Sequence, residues 1–271
     1  MIHGGRNSTR AWTLRPWTLA LVACALAFLL AALVPAAEWA DWRQAEPFVC
    51  RADFRLSGYE PLLVELQELH DDLVEQLQLP RRPAPIELDL FSDKKRYQAY
   101  LSQKYPEAPA RRAMFVQSSG PGQVFAYRSE EFEIDLRHES THALLHCVLP
   151  VVPLWLDEGL AEYFEVPAEK RVYDNPHITE LKWNIRLGMI PRLSTLENKR
   201  ELSEMGRKEY LFAWAWVHFM LHGPDEARQE LMDYLAELPA GVPREPLSGR
   251  LERRLPGVEK RFAQHFRSWR R

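Results

Sequence analysis

The segment Ile134-Asp135-Leu136-Arg137-His138-Glu139-Ser140-Thr141-His142-Ala143-Leu144-Leu145-His146 holds two histidines four residues apart, with a glutamate beside the first. On a helix, positions i and i+4 stack on one face, so His138 and His142 can reach one metal ion while Glu139 stands beside it as a general base. After Pro150 and Pro153 break that helix comes Trp155-Leu156-Asp157-Glu158-Gly159-Leu160-Ala161-Glu162-Tyr163-Phe164-Glu165, where Glu158 and Glu162 are again one turn apart. A catalytic zinc takes three protein ligands and keeps a position for water, and His-His-Glu is one of its standard sets. His138, His142 and Glu158 are therefore the candidate ligands of one Zn2+ ion. His146 continues the face, but it lies about 12 Å along the axis from His138, too far to share the ion.

With 15 residues between His142 and Glu158, the two halves together resemble the gluzincin zinc metallopeptidases, and among them the peptidase MA-like group of small bacterial members. The resemblance covers roughly residues 60–225 and is specific at 134–165. It implies zinc-dependent peptide-bond hydrolysis, with Glu139 as the base for a zinc-bound water. It also implies that Glu162 is the acidic partner orienting a ligand imidazole, as ligating histidines require. An oxyanion donor is expected from a downstream helix, and Lys208-Glu209-Tyr210-Leu211-Phe212-Ala213-Trp214-Ala215-Trp216-Val217-His218 offers Tyr210 first and His218 second. The family further presents an edge strand to extended peptide, and Gln123–Arg128 stands in the matching place. An endopeptidase is favoured over an aminopeptidase, because no Gly-Ala-Met-Glu-Asn-like segment is present to grip a free amino terminus. The zinc–water chemistry would equally serve an amidase or esterase. The alternative from another class is an exported binding or scaffold protein with a retained, non-hydrolytic zinc site. The filled Glu139 position and the absence of an evident fourth ligand favour the enzyme.

Periodicity outlines the scaffold that holds these residues. Leu62, Leu63, Leu66, Leu69, Leu73, Val74 and Leu77 recur at threes and fours, predicting an amphipathic helix over 59–79. Ile86-Glu87-Leu88-Asp89-Leu90-Phe91 alternates as a half-buried strand, succeeded by a Ser92-capped helix toward Tyr105. Gln123–Arg128, opened by Gly120-Pro121-Gly122, is expected at a sheet edge. From Phe132 onward the pattern is helical at 132–147, 155–165, 176–187, 207–222, 225–237 and 257–269. The expected class is α+β: a small antiparallel or mixed sheet with a mainly helical domain at 58–271, reached through a linker at 38–57. The aromatic run around Trp214 and Trp216 is expected to be core.

Composition sets the outer bounds. The 271 residues carry 35 basic and 38 acidic side chains, a net charge of −3, with no long basic run to track a phosphate backbone. No nucleic-acid partner is expected. Arg6, Arg10 and Arg15 precede an uncharged stretch, Pro16–Ala37, long enough as a helix to cross a bilayer. The arginines place its N-terminal side in the cytoplasm and send the chain beyond Ala37 across the membrane. An uncleaved membrane anchor is favoured over a signal peptide cut near Val34-Pro35-Ala36, because the stretch exceeds the usual signal core of about 7–15 residues. Either segment, at 1–37, puts the domain on the extracytoplasmic side of the cell membrane or in the periplasm. There Cys50 and Cys147 are free to pair, and two unpaired structural cysteines are an equal expectation.

Overall fold

The computed structural model describes residues 39–81, 85–107, 111–117 and 120–270. The apolar stretch Pro16–Ala37 lies outside them, and among the described residues no helix is long and apolar enough to cross a membrane. The domain is α+β, built on a five-stranded mixed sheet. Its strands are β1 (Asp41–Ala45), β2 (Phe48–Ala52), β3 (Ile86–Phe91), β4 (Ala113–Val116) and β5 (Gly122–Tyr127), in spatial order β1-β2-β3-β5-β4. The central pairs β2/β3 and β3/β5 are parallel, and the two outer pairs are antiparallel.

Alternation along the strands sorts their side chains between two cores. Cys50, Leu88, Leu90, Val124 and Ala126 face α1 (Glu60–Gln76), whose buried leucines are those of the predicted stripe, and α3 (Phe132–His146). Phe91 and Phe125 face the other way, into an aromatic cluster with Tyr97 and Leu101 of α2 (Lys94–Lys104). Beside that cluster Arg51 clamps the fully buried Asp89 through two hydrogen bonds of 2.8 and 2.9 Å, which lets a carboxylate sit between strands and a helix.

The helical half comprises α4 (Leu154–Phe164), α5 (Ala168–Arg171), α6 (His177–Arg186), α7 (Leu193–Glu197), α8 (Arg207–His222), α9 (Asp225–Glu237), α10 (Leu247–Arg254) and α11 (Val258–Ser268). Every residue of α8 from Leu211 to Leu221 is buried, as expected for a helix apolar on all sides. Trp216 stacks on Phe262 of α11 with ring centroids 4.3 Å apart. Gly159 marks the closest approach of α4 to α8. A Cβ there would stand 2.7 Å from the Ala213 carbonyl oxygen, so only glycine allows the two backbones to lie this close.

Several expectations are corrected. Of the expected linker at 38–57, the described residues 39–57 are part of the domain: β1 and β2 form a hairpin, and β2 buries Phe48, Cys50 and Ala52 by pairing with β3. The pairing partner lies more than thirty residues away, which is why local composition hid it. Strand β5 is not at an edge, because it runs between β3 and β4. The edge on that side is Ala113–Val116, too short to show a period. Helix α2 is capped by Asp93, whose side chain accepts from the Arg96 amide at 3.0 Å, while the Ser92 amide is taken by Asp53. Of the two equal expectations for the cysteines, the described residues show Cys50 and Cys147 unpaired, and burial pushes the pKa of the Cys50 thiol up to about 12.

Candidate metal centre

Helix α3 starts five residues after β5 and packs across β4 and β5, with Leu136, Ala143 and Leu145 turned into the core. The same helix carries His138 and His142 one turn apart. Pro153 opens α4, and the crossing of α4 over α3 brings Glu158, only 5% exposed, to the same point. His138 Nε2 lies 3.2 Å from His142 Nε2, and Glu158 Oε2 lies 3.6 and 3.8 Å from those two nitrogens. Ligand atoms about 2.0–2.1 Å from a tetrahedral zinc stand about 3.3–3.4 Å apart, so this triangle is close to the size the ion needs.

The far sides of both rings explain why the triangle calls for a cation. Nδ1 of His138 donates to Glu165 Oε2 at 2.9 Å. Nδ1 of His142 lies 3.0 Å from Asp157 Oδ1, close although off the line of a good hydrogen bond. With each Nδ1 proton drawn to a carboxylate, the two Nε2 lone pairs point at each other and at a carboxylate oxygen. Three electron-rich atoms then converge in a buried place, an arrangement only positive charge relieves. The titration of the group shows the same pull. Burial by itself would lower His138, yet its hydrogen bonds to Glu158 and Glu165 carry it well above the ordinary histidine value. His142 is likewise raised by Asp157 against the effect of burial. Asp157 is held well below the usual carboxylate range: burial opposes this, but His142 and His146 together outweigh it.

The chain positions this outer ring with care. Asp157 is shared, its Oδ2 lying 3.1 Å from His146 Nε2, and the His146 ring stacks on Phe115 of the edge strand. Buried Arg137 donates to the Glu165 carbonyl (2.6 Å) and to Glu65 of α1 (2.9 Å). The end of α4 is thereby tied to α1 and α3, and Glu165 is fixed beside His138.

The triangle opens into a cleft of about 560 Å³, lined among others by Ala113 of β4, Glu139 of α3, Glu162 of α4 and Tyr210 of α8. Arg112 closes one wall by pairing with Glu131 and with Asp135. Tyr210 is held in its phenol form by burial and by the nearby Glu158, which raise its pKa.

No protein-family model matches the chain, and no curated protein does. The site therefore has to be judged on its own geometry. The structure brings together His138, Glu139, His142, Glu158 and Tyr210, and it separates two of the anticipated residues from their anticipated roles. Glu162 lines the cleft but is engaged by His177 Nε2 at 2.7 Å rather than by a ligand histidine. His218 is fully buried outside the cleft, its Nε2 bonded to the Val172 carbonyl (2.9 Å) and its Nδ1 3.3 Å from His265 Nε2. The acids against the Nδ1 atoms of His138 and His142 are Glu165 and Asp157. Their signal was present, since Glu165 is two turns beyond Glu158 and Asp157 is its neighbour. Spacing along α4 and its cap offers four acids, however, and only the packing of that helix against its neighbours selects among them.

Proposed function

We propose that this protein is a zinc-dependent hydrolase of peptide bonds, of the gluzincin type, acting outside the cytoplasm. The observation that carries the reading is the convergence of His138 Nε2, His142 Nε2 and Glu158 Oε2, edges 3.2–3.8 Å, with Glu139 lining the same cleft. When bound there, zinc supplies Lewis acidity toward a carbonyl oxygen and toward the proton of a water. Glu139 takes that proton on its carboxylate and delivers it to the departing amine. The Tyr210 hydroxyl, kept protonated, donates a hydrogen bond to the oxygen on which negative charge develops. The outer edge of β4, whose Ala113 lines the cleft, can pair with extended substrate backbone, leaving little demand on side-chain identity. That character suits an endopeptidase. Delivery to the membrane rests on the arginine-flanked stretch Pro16–Ala37.

The test is metal analysis and peptide cleavage on the same preparations of wild type, Glu158→Ala and Glu139→Gln. One zinc per chain in wild type is expected, with loss of metal in Glu158→Ala. Retained metal with cleavage slowed about 10²–10⁴-fold is expected in Glu139→Gln. A wild type that takes up no zinc would remove the ligand assignment. Zinc uptake without cleavage of a broad peptide library would leave the centre standing and remove the hydrolase.

A further inference from the structure

Helix α6 and the end of α11 wall a groove of about 670 Å³ whose charged lining is entirely cationic: Lys182 and Arg186 from α6, Arg267 from α11 and Arg270 just beyond. Among the described residues, no carboxylate pairs with the two α6 cations. Lys182 Nζ donates to the Trp269 carbonyl at 3.1 Å, and the Arg186 guanidinium lies over the Trp183 ring. Glu180, on the same helix, is turned to Arg207. Trp183, which lines the same groove, is 58% exposed, and just past the end of α6 Leu187 and Met189 stand 64% and 46% exposed. The inner face of α6 is meanwhile buried through Leu181 and Ile185. The helix is thus satisfied toward the core and apolar and basic toward water.

We propose that this face docks on an anionic lipid bilayer. Tryptophan and aliphatic tips flanked by lysine and arginine, whose stems lie along apolar surface and whose heads meet phosphate, match the boundary between headgroups and acyl chains. Each cation close to an anionic leaflet strengthens attachment about fivefold. A free anion would engage the cations and leave Trp183, Leu187 and Met189 in water, whereas a bilayer engages both. The expected membrane stretch Pro16–Ala37, which ends just before β1 in the sequence, keeps a bilayer within reach of the domain. The inference is independent of the metal centre.

The test mixes the full chain with vesicles of brominated phosphatidylcholine, with or without brominated phosphatidylglycerol. Tryptophan quenching in wild type is compared with that in Trp183→Phe. All other tryptophans, including Trp12 and Trp17, are common to both, so the difference reports Trp183. Wild type is expected to quench more than Trp183→Phe with phosphatidylglycerol vesicles. That excess is expected to vanish with phosphatidylcholine alone, in Lys182→Glu/Arg186→Glu, and in 1 M salt, where the screening length falls to about 3 Å. Equal quenching of wild type and Trp183→Phe with phosphatidylglycerol present overturns the proposal. So does an excess that persists unchanged on phosphatidylcholine. Concentration-dependent shielding of Trp183 without any vesicle would assign the face to a second copy of the chain and overturn it too. Should Lys182→Glu/Arg186→Glu fail to fold, Arg267→Glu/Arg270→Glu supplies the same arm.

Discussion

Two groups of histidines share this domain, and their surroundings act on them in opposite directions. His138, His142 and His146 sit among Asp157, Glu158 and Glu165, and the first two are raised above the ordinary histidine value. His218, His222 and His265 lie between α8 and α11 among aromatic rings, and burial pushes them down to about 3, 4 and 4. Their partners are the Val172 carbonyl, the Tyr163 hydroxyl and one another, while Arg171 and Arg228 add positive charge near His222. Both groups are largely removed from water. What separates them is the carboxylate within reach: acids draw one buried imidazole group toward positive charge, and the other, without them, serves as aromatic packing with a hydrogen bond.

The sharpest contrast is kinetic. Tyr210→Phe is expected to slow peptide cleavage about 10²–10³-fold with zinc retained, because it removes a donor to developing charge. His218→Phe is expected to lower Tm and leave the cleavage rate per folded molecule unchanged. Equal rate losses in the two variants would erase the distinction between the clusters.

Next in size is the outer ring. Glu165→Gln removes the charge that holds the His138 Nδ1 proton and should weaken zinc binding about 10–100-fold, measured by chelator competition. The same change at Glu162, which serves His177, should leave zinc affinity near wild type. The reverse ranking would restore Glu162 to the role its spacing suggested.

Gly159→Ala joins the two groups, since α4 carries Glu158 and α8 carries His218. The added methyl meets the Ala213 carbonyl and should cost about 1–3 kcal/mol of stability, read by denaturant unfolding. It should also weaken zinc binding, as Glu158 moves with its helix. Full stability in this variant would contradict the close helix contact.

The smallest effect is in acid. A histidine held below its unfolded value of 6.5 is neutral in the fold, while the unfolded chain gains a proton as pH falls through 6.5. The stability tied to this cluster is therefore complete above about pH 6.5 and is lost progressively toward pH 4. His265→Phe keeps the ring packing and removes one such group, so its Tm should fall less steeply than wild type across that window. Parallel Tm curves would mean that these imidazoles are not held neutral.

Much of this was legible in the chain. The leucine stripe of α1, the alternation of β3 and the long helices depend on contacts within a few residues, so their periods are written locally. The pair His138 and His142 was legible for the same reason, as helical spacing alone puts them on one face, whereas Glu158 was named from the His-His-Glu set that a catalytic zinc takes. The hairpin of β1 and β2 was not, because its burial comes from β3, and the four residues of β4 carry too little pattern to show a strand.

Composition and period were enough to name the groups able to bind a metal and the helices that carry them. Which acid serves which histidine was settled by packing alone. Asp157, Glu158 and Glu162 lie on α4 and Glu165 caps its end, and the packing around that helix places them against His142, the His138–His142 pair, His177 and His138 respectively. The same holds for His218: its position on α8 was plain, but the side chain meets α11 rather than the cleft. The direction in which a buried helix face points is fixed by what packs around it, and no local period records that.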